Sequence, residues 1–257
     1  MTEFLGDLAR SLGFLSRVPI PARFFEGQDG SISRAVRAFP LAGLVLALPA
    51  GLLLWLLLEW EAAPLLAVLV ALAAMTLLSG ALHEDGLADA ADGLGGGRDK
   101  EHALSIMKDS RTGSYGVIAL ILSYGLRTAA LASLAATSPA LPAMALLAGA
   151  AASRALMVGH WYALPPARTG GVAAGAGRPD AHARTFALAS GALACLLLLV
   201  ALVEIVPIIA AIALSGLSVF GFTSYAERRL GGHTGDTIGA SQQAGEIVFL
   251  VALALAV

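Results

Sequence analysis

Apolar residues run along this chain in long blocks. They do not recur every three or four positions as on an amphipathic soluble helix. Seven blocks are long enough to cross a hydrocarbon core, at 38–58, 62–82, 116–137, 139–160, 186–204, 205–222 and 237–257. Almost nothing polar separates the first from the second, the third from the fourth, or the fifth from the sixth, so these pairs are expected as tight helical hairpins. Four polar segments remain, 1–37, 83–115, 161–185 and 224–236. The pattern predicts an all-α, polytopic membrane helix bundle of about seven spans. It forms a single integral membrane domain over 1–257, with its chemistry in the polar segments.

Within 1–37, Phe4, Leu5, Leu8, Leu12 and Leu15 share one helical face, while Asp7, Arg10 and Ser11 lie elsewhere. That suits a short helix in the membrane interface; a helix packed on a neighbouring loop would read the same way. Glu3 and Asp7 stand where the basic region of a signal peptide belongs, so no cleavable leader is expected.

Charge fixes the orientation. Fourteen of the 16 Lys and Arg residues fall in the four polar segments. The connections inside the hairpins hold none, only Glu59, Glu61 and Glu204. Positive charge stays inside, which puts the polar segments and the N-terminus in the cytoplasm and the C-terminus outside. Arg127 and Arg154 lie within spans, where an unpaired arginine is costly. Arg127 calls for a carboxylate partner or a route to the interface. Arg154, about two turns from a cytoplasmic helix end, reads either as a contact for an anionic ligand or as half of a structural ion pair.

Composition agrees with the pattern. The chain is 58% hydrophobic and 13% charged, against about 25% charged in soluble domains. A net charge of -2 gives no reason to expect nucleic acid as a partner. Cys195, the single cysteine, sits in ALACLLLL and reads as a packing residue.

The candidate chemistry begins in HEDGLADAADG, which reads as the second span continuing into the cytoplasm. Asp85, Asp89 and Asp92, spaced i, i+4, i+7, fall within roughly 60° of one helix face. Like charges at that spacing repel, and a divalent cation removes the cost. Oxygen-only donors favour Mg²⁺ or Mn²⁺ over zinc. A solvated acidic face is the other reading, although aspartate is a poor helix former for that purpose. Glu84 points off this face. Gly95, Gly96 and Gly97 then end the helix. His83 borders the row, as a proton carrier or simply a solvated histidine.

A second short helix is expected from Asp99, its N-cap, to Asp109. Beyond it Lys108 and Arg111 offer positive charge for phosphate oxygens, or only the basic flank of the next span. In GGHTGDTIGA, the glycines around Gly232, Thr234 and Gly235 open the last helix as a potential anion loop. There Asp236 is either a fourth carboxylate ligand or the helix N-cap. Gln242, Gln243 and Glu246 follow in a span and should face the bundle interior. The segment RTGGVAAGAGRPDAHAR reads as a linker or, less economically, a lid.

FLSRVPIP, FPLAG, HEDGLADAADG, IMKDSRTGSYG and GGHTGDTIGA, in that order over nearly the whole chain, resemble the cobalamin synthase (adenosylcobinamide-GDP ribazoletransferase) family. That family usually has an apolar residue where this chain has Glu84. The resemblance implies a Mg²⁺-dependent phosphotransferase of the bacterial inner membrane. α-Ribazole or its 5′-phosphate would attack adenosylcobinamide-GDP and release GMP. On that reading Asp85, Asp89 and Asp92 hold metal on the diphosphate. Lys108, Arg111 and the 231–235 loop grip phosphate or nucleotide, Asp236 or Asp109 completes the site, and His83, Arg154 and Glu246 lie near substrate. Two rivals fit less well. A CDP-alcohol phosphotransferase needs Ala-Arg where Gly96-Gly97 stand, and a transporter would show inverted repeats and midplane carboxylates.

Overall fold

In the computed structural model, residues 2–27, 31–169 and 175–257 are described, and these are helical with no strand. Helix α1 (Thr2–Leu15) leads through two 3₁₀ turns to α2 (Phe39–Glu59) and α3 (Pro64–Ser79). Two shorter helices follow, α4 (Leu82–Gly96) and α5 (Lys100–Ile106). Then come α6 (Ser114–Leu134), α7 (Ala140–Ala163), α8 (Ala181–Leu199), α9 (Ile205–Leu230) and α10 (Gly235–Ala256). Among the described residues six helices are long and apolar enough to cross a membrane, seven if α3 and α4 count as one broken span.

The hairpin pairs α2–α3, α6–α7 and α8–α9 appear as the pattern requires, but the bundle is organised around α7. This helix is buried along nearly its whole length and packs most extensively on α2, α8 and α10. Its run of Ala and Gly lets neighbouring backbones close in, as small residues do between membrane helices. A Cβ on Gly43 of α2 would lie 2.6 Å from the Ala150 carbonyl oxygen, and one on Gly191 of α8 2.5 Å from the Ala155 Cβ. Leu48, Leu52, Leu77, Ile121, Leu197 and Leu217 stay exposed on the outer helices, a surface suited to lipid and not to water.

Two expectations change here. The acidic segment does not continue the second span. Gly80 and Ala81 both take left-handed backbone (φ 66° and 59°), and α4 leaves α3 at 89°. A side chain at position 80 would also collide with Arg17, whose Nε is 2.5 Å from where the Cβ would sit. Second, α1 packs on the protein through its polar side as well as through Leu8, Leu12 and Leu15. Asp7 is buried and ion-paired with Arg10 and Arg37, Ser11 Oγ donates to the Ala35 carbonyl at 2.9 Å, and Leu5 faces outward. The helix is therefore held by the protein through charge pairs that the apolar periodicity did not reveal.

All four polar segments meet at one end of the bundle. Among the described residues Ile32 N donates to Ala176 O at 2.9 Å, His233 N to Pro165 O at 2.8 Å, and Arg229 to Gly97 O at 2.6 Å, which links the four segments in turn.

Candidate functional site: an acidic edge over a buried charge network

Helix α4 is pinned at both ends. Near its start Gly86 lies against α10, where a Cβ would come within 3.0 Å of Asp236 O. Near its end Gly93 admits the Met107 side chain, and Arg229 at the end of α9 donates to Gly97 O at 2.6 Å. Asp92 supplies the third anchor. Its carboxylate is buried and accepts from Gly113 N at 2.6 Å and Gly116 N at 2.9 Å, the free amides at the start of α6.

The sequence row is thus graded in exposure: Asp85 is exposed, Asp89 half-buried and Asp92 buried. Asp89 is pushed up to about 6 by burial first and then by Asp85, Asp236 and Asp92. The four aspartates therefore form one acidic field across α4 and the start of α10, offset at its margins by Arg168 beside Asp236 and by the α6 amides on Asp92. Asp236 does not cap α10. Thr234 does, accepting from Thr237 N at 3.1 Å while the Thr237 hydroxyl accepts from Thr234 N at 2.9 Å, a capping box. The capping role is corrected accordingly. Asp236 is released from the cap and pairs instead with Arg168 at 3.7 Å, its Oδ2 buried with no hydrogen bond.

Arg168 is a residue the sequence reading passed over. It follows a short stretch held by two backbone bonds, Ala167 N to His233 O at 2.8 Å and His233 N to Pro165 O at 2.8 Å; of the 168–184 segment read as a linker or lid, 170–174 lie outside the described residues. Those bonds clamp 165–168 onto the glycine loop. No periodicity marks so short a pairing, and only the tertiary contact finds it. The same contact explains one glycine, since a Cβ on Gly232 would lie 2.3 Å from Pro165 O. Gly231 ends α9 in left-handed backbone at φ 67°. Gly235, beside Asp236, is the one of the three with open space around it.

The remaining candidates divide. Asp99 caps α5 as expected, accepting from His102 N at 2.8 Å. Arg111 and Asp109 pair with each other at 2.6 Å, and the hydrogen bonds from Arg111 hold Asp109 down to about 2. Lys108 is exposed. Among the described residues none of these three bonds to the aspartate row. His83 is buried, with Nε2 unpartnered, so the solvated reading is corrected: the bend at Gly80–Ala81 turns this residue into the bundle.

Below the edge lies a charge network that absorbs four residues. Arg127 reaches Glu246 at 3.2 Å and Glu84 at 3.4 Å, and Arg154 reaches Glu246 at 3.7 Å. Gln243 donates to Glu84 at 3.3 Å and Gln242 to Glu246 at 2.5 Å. Two arginines against two glutamates balance, which is how buried charge is tolerated. Arg127 thus takes carboxylate partners, and Glu84, turned off the aspartate face as expected, is one of them.

Several observations bear on a divalent cation. The donors are all oxygen, the carboxylates repel, and Asp236 Oδ2 is buried with an ion pair to Arg168 at 3.7 Å but no hydrogen bond. Among the described residues no three acidic, His or Cys groups converge into a ready cage. Mg²⁺ needs none, because it keeps several waters and is held through one or two carboxylates plus substrate phosphates. The residues fit such an ion; Asp92 keeps lone pairs beyond the two amide bonds it accepts.

A family model described as cobalamin-5-phosphate synthase matches residues 7–254. An adenosylcobinamide-GDP ribazoletransferase from Sinorhizobium sp is 56% identical over 257 residues, covering 99% of this chain and 98% of its own length. One of the same description from Rhizobium meliloti (strain 1021) is 54% identical, with 99% and 98% coverage. A third, from Brucella anthropi, is 41% identical over 255 residues, again with 99% and 98% coverage. No solved structure matches the chain.

Proposed function

The chain belongs to the cobalamin-5-phosphate synthase family, and we propose that it carries out its transfer at the α4–α10 acidic edge with Mg²⁺ between the aspartates and the substrate diphosphate. The reaction moves the adenosylcobinamide-phosphate group of adenosylcobinamide-GDP onto α-ribazole or its 5′-phosphate. The ribose 3′-oxygen forms a bond to the cobinamide-linked phosphorus. The phosphoanhydride bond to GMP breaks, GMP leaves with its electron pair, and the hydroxyl proton passes to water.

Such a transfer needs alignment and charge neutralisation more than covalent help. The cation, when bound, neutralises the diphosphate oxygens and the developing charge on the leaving phosphate. Asp85, Asp89 and Asp236 are the residues that would hold it, and Asp92, which fixes the α4–α6 geometry, would have lone pairs left to contribute. Arg168 and the open space at Gly235 lie beside Asp236 for a phosphate; Lys108 and Arg111 serve the outer phosphate or nucleotide once Arg111 exchanges Asp109 for substrate. Arg154 and Glu246 act from beneath, as supports of α4 and α10, while His83 borders the acidic edge itself.

The observation that carries this reading is Asp236 Oδ2, buried without a hydrogen bond across from Asp85 and Asp89. Membership of the family is the ground for placing it in the bacterial inner membrane, and the Lys and Arg distribution is the ground for a cytoplasmic acidic edge and N-terminus with the C-terminus outside. The test is GMP release by protein purified in detergent, given adenosylcobinamide-GDP and α-ribazole, with and without chelator. Turnover that needs both substrates and stops on chelation is expected. Undiminished turnover in chelator removes the metal from the mechanism.

A further inference from the structure

Beside the acidic edge is a cavity of about 200 Å³, enclosed by α1, α4, α7 and α10. Its walls are Phe14, Leu15, Met157, Trp161 and Ile238, and its polar groups are His83 together with Asp85 and Asp236. We infer that this cavity seats the planar bicyclic base of the acceptor nucleoside and presents the ribose to Asp85 and Asp236. The inference rests on the transfer reading above and adds to it the place where the acceptor binds.

Three features select the occupant. The first is size: an apolar cavity of about 150 Å³ accepts benzene, so this one has room for a two-ring aromatic but none for a corrinoid. The second is the wall chemistry. Phe14 and Trp161 lie with centroids 6.3 Å apart and rings inclined by 27°, and aliphatic side chains complete a surface suited to a flat apolar base. The third is an unmet hydrogen-bonding need. Trp161 Nε1 and His83 Nε2 are buried, with no partner. An indole N–H only donates, so its missing partner is an acceptor. A dimethylbenzimidazole nucleoside offers one free ring nitrogen, an acceptor, in an otherwise apolar bicycle. Guanine, the other base in the reaction, would bring an N1–H and an amino group that the aromatic and aliphatic walls cannot meet, and the carboxylates at the cavity's edge, Asp85 and Asp236, are those the transfer reading assigns to the metal.

Placement completes the argument. Asp85 and Gly86 of α4 and Asp236 and Gly239 of α10 line the same cavity. A base held among the aromatics therefore leaves its sugar beside the carboxylates, where an attacking hydroxyl must meet the diphosphate. Holding the two reactants in one geometry is most of what such an enzyme can supply.

The experiment is calorimetric titration of the purified full chain in detergent and chelator with three probes: α-ribazole, 5,6-dimethylbenzimidazole and GMP. Wild type is expected to bind α-ribazole and the free base. Met157→Phe, which fills the cavity, should weaken both at least tenfold and leave GMP unchanged. Trp161→Phe keeps a ring and removes the donor; it should weaken both roughly fivefold, about the value of one hydrogen bond, and raise the KM for ribazole without changing that for adenosylcobinamide-GDP. If Met157→Phe does not fold, Trp161→Phe decides. Absence of ribazole binding by wild type overturns the inference, as does a folded Met157→Phe that binds ribazole like wild type, or a Trp161→Phe effect confined to the corrinoid substrate. Failure of the transfer reading is a separate result: wild type releasing no GMP when given both substrates.

Discussion

Gly86 of α4 faces Gly239 of α10 so closely that a Cβ at position 86 would stand 3.3 Å from the Gly239 Cα. This contact carries Asp85 to the side of Asp236, two carboxylates far apart in the chain. Gly86→Val must push the helices apart. Overpacking of this kind costs about 1–3 kcal/mol, and the larger expected effect is on turnover, a fall of roughly a hundredfold, because small displacements at a reacting centre are amplified. GMP release and thermal midpoint measured together check it; normal turnover would detach the glycine contact from the site.

Asp92 and Asp236 should separate in stability while sharing a loss of activity. Asp92 holds two backbone amides, so Asp92→Ala is expected to cost about 0.5–2 kcal/mol, the scale of a lost helix cap. Asp236 caps nothing, so Asp236→Ser should leave the thermal midpoint within experimental error while most GMP release disappears. A fully active Asp236→Ser protein would falsify its place beside the metal.

Asp89 gives the pH dependence. Its folded-state value, pushed up to about 6, exceeds the unfolded one, so the folded state binds the extra proton. Its contribution to stability is therefore greatest at low pH and falls as pH rises through about 6. In chelator, Asp89→Asn should be more stable than wild type at about pH 8 and indistinguishable well below the unfolded carboxylate value, at about pH 3. Thermal midpoints across that range decide, and an Asn variant less stable at every pH would mean the carboxylate has a partner.

Arg127→Leu strands Glu84 without a cationic partner and leaves Glu246 only Arg154. Breaking a buried pair in this way costs about 3–5 kcal/mol. The double variant Glu84→Leu/Arg127→Leu should recover part of that loss, since no lone charge remains at position 84. A double-mutant cycle measures the coupling, which additive losses would reduce to zero.

Topology is testable without substrate. A reporter active only outside the cytoplasm should work when fused after Val257 and fail within the 98–112 segment. The opposite pattern would overturn the positive-inside assignment.

Much of the site was legible because it is local. The i, i+4, i+7 aspartates, the Asp99 cap and the polar face of the last span follow from helical spacing, which a sequence displays directly. What was illegible depends on direction of travel. Nothing in SGALHEDG announces two successive left-handed residues, and without that bend His83 reads as solvated and the acidic helix as a continuation of the span. Asp236 reads from the sequence as either a ligand or the cap, and only the tertiary structure shows that Thr234 caps the helix. Arg168 gave no signal, since its position depends on a pairing with His233 across the fold.

The sequence by itself determined that the chain is a helical membrane bundle, how its hairpins fall, which end carries the charge and which motifs resemble a family. Hydrophobic length, charge asymmetry and local spacing are properties of contiguous segments, so they survive without coordinates. Tertiary structure alone decided how α4 crosses α10, which carboxylates meet, which arginine each glutamate answers, and that an aromatic cavity opens beside them. Those relations depend on backbones approaching at glycines and on buried charges finding partners far along the chain, and no local pattern encodes them.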